Sequence, residues 1–189
     1  MFLLYAVLLG LLLGFLVGGR PAGLAAIRFR WAWLAILGFA VQVVLFAGPV
    51  SDRVGDVLGP IVYVGSTALV LVAVLRNVRL PGLAFVAAGA ASNLAAILAN
   101  GGYMPAGVAA RAEVGQGAIT TYSNSKVIAN PALEPLTDIL SLPAWLPFTN
   151  IFSVGDLLIA IGVVVAIVVP MWRAGPGASR KLGPVPGAG

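Results

Sequence analysis

Five stretches of the chain carry no charged side chain: Met1 to Gly19, Trp31 to Gly48, Val57 to Leu75, Pro81 to Asn100 and Ser153 to Trp172, apart from Asp156 at the start of the last. Each approaches the roughly 20 residues that an apolar helix needs to cross a bilayer at about 1.5 Å per residue. A backbone surrounded by hydrocarbon must satisfy its own hydrogen bonds, which makes such runs helices. The pattern therefore predicts an all-α integral membrane protein, a bundle of five transmembrane helices. Composition agrees, with 60% hydrophobic and 9% charged residues and a mean hydropathy of +1.05, far from the balance of a water-soluble domain. The domain expectation is one transmembrane unit over residues 1–172 and a cytoplasmic tail over 173–189, too rich in Gly and Pro to pack and expected to be disordered. The first run lacks the basic residues that open a signal peptide, so it is expected to stay as the first helix.

Orientation follows from the cations, because cytoplasmic loops near spans carry the excess of Lys and Arg. Placing the Gly19 to Arg30 loop inside puts Arg20, Arg28, Arg30, Arg76, Arg79, Arg173, Arg180 and Lys181 in the cytoplasm. Only Arg53, Arg111 and Lys126 then lie outside, together with all six acids, Asp52, Asp56, Glu113, Glu134, Asp138 and Asp156. The expected topology has the N-terminus outside and the C-terminus inside. Phe29, Trp31, Trp33 and Trp172 fall at inner helix ends, where aromatic rings anchor at headgroup depth. The cations are not grouped on a face interleaved with stacking aromatics, so no nucleic-acid partner is implied. Membrane lipid is the expected partner, with Arg180 and Lys181 of the tail placed to touch anionic headgroups.

Small residues recur every four positions at Gly10, Gly14 and Gly18 on the first helix and at Ala84, Ala88 and Ser92 on the fourth. Such faces let backbones approach closely, within the bundle or between copies and partner proteins. The long connection from Gly101 to Phe152 is the most informative loop. It opens with two glycines and Pro105. Near its end, Leu133, Leu136, Ile139, Leu140 and Leu142 are read as one face of a short helix beginning near Pro131, an interfacial anchor or lid with Trp145 and Phe148 at the interface.

The chain has no Cys and no His, which removes disulfides, thiolate and imidazole metal ligands, and every Ser-His or Cys-His arrangement. No metal or other cofactor is implied. Chemistry is left to the polar residues of the outer half: Asp156, Asn93, Asn100, Gln42 and Ser153 form the candidate polar site. Hydrogen bonding between helices accounts for the amides equally well. Ser153 followed three residues later by Asp156, just ahead of an apolar run, is the spacing of a capping box, which would occupy the acid without any catalytic role. Ser123 to Lys126 matches an S-x-x-K spacing without accompanying motifs, and Gly115 to Gly117 has no strand before it; both are read as chance.

"LANGGYMP", Leu98 to Pro105, and "FSVGDLLIAIG", Phe152 to Gly162, resemble the two signatures of a bacterial multi-pass membrane family, domain of unknown function 5317, as do the opening glycine pattern and "RNVRLPG" at Arg76 to Gly82. The resemblance implies a multi-pass protein of the bacterial cytoplasmic membrane and brings no activity with it. A weaker similarity is to lipoprotein signal peptidases. "GAASNLAA", Gly89 to Ala96, and "FSVGD" stand where those enzymes carry their two catalytic aspartates. Asp156 matches the second; Ala96 replaces the first. A carboxylate pair would then need Glu134 or Asp138 to come in from the outer segment. The expectation is a non-enzymatic membrane protein with an outward-facing polar site or partner surface. The alternatives are a degenerate peptidase-like protein that binds a lipid or lipid-linked substrate, and a small transporter.

Overall fold

The computed structural model describes residues 2–113, 125–143, 145–147 and 149–175. The tail beyond Gly175, the Gly115 to Gly117 stretch, Ser123 and Phe148 lie outside them, and so do the readings placed there. The described chain is mostly helical. The helices are α1 (Phe2–Leu16), α2 (Ala22–Ala25), α3 (Ala32–Leu45), α4 (Gly48–Arg76), α5 (Leu83–Ala99), α6 (Val108–Glu113) and α7 (Val154–Arg173). All five apolar runs emerge as helices, because their mostly apolar side chains offer the backbone few alternative hydrogen-bond partners. Two, Val57–Arg76 and Val154–Arg173, are long and apolar enough to cross a membrane. The other three, α1, α3 and α5, are shorter, at 15, 14 and 17 residues. Helix α4 is broken near its start by Gly55, whose φ of 64° lies in the region open mainly to glycine.

The long helices pack in the order α3, α4, α5, α7, α1, each principally on its neighbours. Directions alternate as the connections require. Gly38 of α3 lies against Ser66 and Val70 of α4, while Arg30 and Asn77 meet where α3 begins and α4 ends. Gly82, just ahead of α5, and Gly89 within it meet Gly162 and Gly155 of α7, so those helices are antiparallel. Helix α1 runs parallel to α7: Phe2 stacks on Phe152 with ring centroids 4.2 Å apart, and Gly14 meets Met171. One pole of the molecule therefore gathers Phe2, Asn93 and Asp156, and the other gathers Arg20, Arg30, Arg76 and Arg173.

Small residues govern the closest crossings, though not all those expected. Gly10 and Gly14 are buried on α7, against Val164, Ile167 and Met171, whereas a side chain at Gly18 would meet nothing. Ala84 and Ala88 do not pack; both are exposed. The face of α5 that meets its neighbours carries Leu83, Ala87, Gly89 and Ala96 instead. Glycine sets the closest crossing because, having no Cβ, it lets the two helix backbones come nearest.

The segment after α5 forms a cover over the Asp156 pole. Strands β1 (Met104–Pro105) and β2 (Ser125–Lys126) pair in parallel, and β3 (Leu140–Ser141) pairs antiparallel with β4 (Ile151–Phe152), which leads into α7. The helix expected from Pro131 is absent. Only one 3-10 turn, Glu134–Leu136, forms, and the chain is extended beyond it. Pro135 falls inside a helix begun at Pro131, where its missing N–H would break the ladder, and Leu140 finds a strand partner in Phe152.

Candidate functional site

At the start of α7 the local sequence dictates the geometry. The Ser153 backbone is extended, its hydroxyl accepts from the Asp156 amide at 2.9 Å, and the Asp156 carboxylate accepts from the Ser153 amide at 3.1 Å. This is the capping box read from the Ser153–Asp156 spacing, and it places a negative charge at the positive end of the helix dipole.

The same two side chains also reach α5. Asn93 donates from Nδ2 to Oδ1 of Asp156 at 2.8 Å, and the Ser153 hydroxyl donates to Asn93 Oδ1, also at 2.8 Å. Ser153 is fully buried. Three side chains thus close a ring of hydrogen bonds across the α5–α7 crossing. Asp156 uses one oxygen on its own helix cap and the other on Asn93. The close approach depends on Gly155, because a side chain there would overlap Asn93 Oδ1 and stand 2.8 Å from the Gly89 carbonyl.

Of the five candidate residues, the structure brings Asp156, Asn93 and Ser153 together. Gln42 is elsewhere, donating to Thr67 Oγ1 at 3.2 Å across the α3–α4 interface. Asn100 holds the cover: its Nδ2 donates to the Ala96 and Ala132 carbonyls, and its Oδ1 accepts from the Ala132 amide at 2.9 Å. Tyr5 adds a second strap by donating to the Pro147 carbonyl.

Asp138, which sequence reasoning treated only as an acid that would have to move in, completes the acidic pole. Its amide donates to the Pro105 carbonyl and its carbonyl accepts from Gly107, both within 3.0 Å. These bonds make Asp138 the parallel bridge partner of Ala106, just ahead of the β3 strand that pairs with the lead-in to α7. Burial there, and next the charge of Asp156, push its carboxyl from 3.8 up to about 7. The available sequence signal was Pro135 and Pro143, which argue against a helix and for an extended Thr137 to Leu142.

The position that would supply a second acid from α5 is Ala96, and it is wholly buried in a core with Leu45, Tyr63, Ile97 and Met104. A carboxylate at that point would be stranded in apolar surroundings. A cavity of about 320 Å³ between α3 and the start of α4 is lined by valines, Ala40 and Leu45, and so presents hydrocarbon and no reactive group. Among the described residues no group of three or more acids converges to hold a metal ion.

Fold and site together define a mostly helical, strongly apolar protein with membrane-length helices and a hydrogen-bonded acidic pole under a strapped cover. The chain belongs to the family described as "Family of unknown function (DUF5317)", which it matches over residues 26–168. No curated protein and no solved structure matches it, so nothing there supports the likeness to lipoprotein signal peptidases.

Proposed function

We propose that this is a multi-pass membrane protein whose five apolar helices all cross the bilayer, with the Asp156 pole outside and the arginine pole in the cytoplasm. The alternating helix directions support this reading, as does the distribution of the cations. So does the outward exposure of Leu12, Ile36, Val43, Val57 and Ile61, side chains suited to a hydrocarbon solvent. The shorter helices reach further through the apolar residues that flank them, such as Val17, Trp31 and Phe46. In that setting the protein works by binding rather than catalysis. Its outward-facing polar site is formed by Asp156 of α7 and Asp138 of the cover, and proton exchange at Asp138 sets the site's charge.

The observation that carries the reading is the hydrogen-bonded ring of Asn93, Ser153 and Asp156 under a segment strapped down by Asn100 and Tyr5. The chain has no cysteine, so single-cysteine labelling in intact cells tests the topology. Val127→Cys should react with an impermeant maleimide and Val78→Cys only after permeabilisation; the reverse pattern would sink the orientation. For the site, mass spectrometry of the full chain purified from native membranes should find a co-purifying small molecule that Asp138→Asn no longer retains. Identical adducts in both proteins would count against a site at the pair.

A second reading rests on the same two acids, since neighbouring carboxyl groups can divide acid and base roles in hydrolysis. Release of a soluble product from membrane lipid that disappears in Asp138→Asn would put that reading in place of the first.

A further inference from the structure

We propose that the arginine pole is a docking surface for anionic phospholipid headgroups, assembled where the Arg28–Arg30 loop is tied to the Arg76–Arg79 turn. The proposal deepens the membrane reading and rests on it. The tie is Asn77, a buried side chain that behaves like an extra peptide group. Its Oδ1 accepts from the Arg30 amide at 2.7 Å, and its Nδ2 donates to the Arg30 and Ala73 carbonyls at 2.7 Å each. Phe29 fixes the loop from below, packed on the cluster of Val74, Leu83 and Ala87. With Phe29 turned in, Arg28 and Arg30 on either side of it are exposed, as are Arg76 and Arg79.

Two further features point to a charged ligand at headgroup depth. Trp31 adopts a left-handed backbone conformation, φ 59°, which is costly for a bulky residue, and its ring lies 5.5 Å from the Arg76 guanidinium carbon. Trp31 and Trp33 are both largely exposed beside the arginines, as rings at a membrane interface are. No acid stands in the sequence between Val57 and Ala112 or between Met1 and Ser51. The helix ends and loops that build this face therefore contribute four guanidinium groups and no carboxylate. Guanidinium matches phosphate in shape and hydrogen bonding, so the fitting partner is a phosphodiester anchored by its acyl chains.

The test is native mass spectrometry of the detergent-solubilised full chain, titrated with phosphatidylglycerol or with phosphatidylcholine of the same acyl chains. Phosphatidylglycerol is expected to bind at least about tenfold more tightly, with about fivefold lost for each of Arg28→Gln, Arg30→Gln, Arg76→Gln and Arg79→Gln. Arg53→Gln, at the other pole, should change nothing. Single variants keep the test valid if the quadruple variant fails to fold, and a thermal melt of each reports folding. Equal binding of the two lipids, or a preference that survives all four substitutions, overturns the proposal. So does displacement of the lipid by an equal concentration of inorganic phosphate, which would make the ligand a soluble anion. Because binding in detergent is independent of orientation, a failure here is distinct from a failure of the cysteine-labelling map.

Discussion

Raising the pH should loosen the cover, and Asp138 is the reason. In the docked state its carboxyl titrates at about 7; undocked and hydrated it returns to 3.8. Between those values the docked state holds a proton that the open state has released, so each rise in pH favours opening. The stability of docking is intact below pH 3.8 and is lost progressively up to about pH 7. At about 1.36 kcal/mol per pH unit, full withdrawal from water would make this about 4 kcal/mol. Asp138 is only partly buried, and solvent screening brings the expectation to about 2 kcal/mol, roughly thirtyfold in the opening equilibrium. Hydrogen exchange reads this directly at the amides of Asp138 and Gly107, which bond to the Pro105 and Asp138 carbonyls. After correction for intrinsic exchange, protection should fall from pH 4 to pH 8 in the native protein. In Asp138→Asn it should stay level and be higher at pH 8. Protection that is flat or rising in the native protein, or no gain in the variant at pH 8, would refute the reasoning.

Three substitutions probe the packing. Gly155→Ala forces α5 and α7 apart, since the added carbon meets Asn93 and the Gly89 carbonyl; overpacking of this kind costs about 1 to 3 kcal/mol, and a thermal melt in detergent should fall accordingly. Ser153→Ala removes the cap and the donor to Asn93 together, so its melting temperature should drop by more than the roughly 1 kcal/mol of a lost cap implies. Asn100→Ala releases Ala132; hydrogen exchange should speed up from Ala132 to Thr137 while the α5 and α7 interiors keep their protection.

The long helices were legible because absence of charge is a local property that needs no knowledge of neighbours. The Ser153–Asp156 cap was legible for the same reason: both partners lie within one turn. What the pattern of Leu133, Leu136, Ile139, Leu140 and Leu142 did not reveal was that Leu140 pairs with Phe152, since a short apolar run fits a strand as well as a helix until its partner is known. The helix contacts show the same boundary. Spacing identified the small face of α1 but chose Ala84 and Ala88 on α5, where the actual contact is set by Gly89 meeting Gly155. Which small face is used depends on the residue across the gap. Asp138 was hidden most deeply, because its environment is built from Pro105, Gly107 and the first turn of α7, three pieces of chain that no periodicity connects.

Asp156 is therefore not a simple charge to be deleted. Its two oxygens serve as two acceptors, one for the Ser153 amide and one for Asn93 Nδ2. Asp156→Asn supplies one acceptor and one donor, so in either amide orientation a donor faces a donor. The variant should lose about 1 to 3 kcal/mol even if the acid has no functional role. Exchanging the groups repairs the ring. When Asn93→Asp is combined with Asp156→Asn, the carboxylate now on α5 accepts from the Ser153 hydroxyl and from the side-chain amide now on α7, whose oxygen still takes the Ser153 backbone N–H. The double variant should melt closer to the native protein than the single Asp156→Asn does. In that single variant Asp138 should titrate below 7 yet remain above 3.8, because burial, the larger cause, persists when the charge is gone. A double variant no more stable than Asp156→Asn would show that the three-residue ring is not what joins α5 to α7.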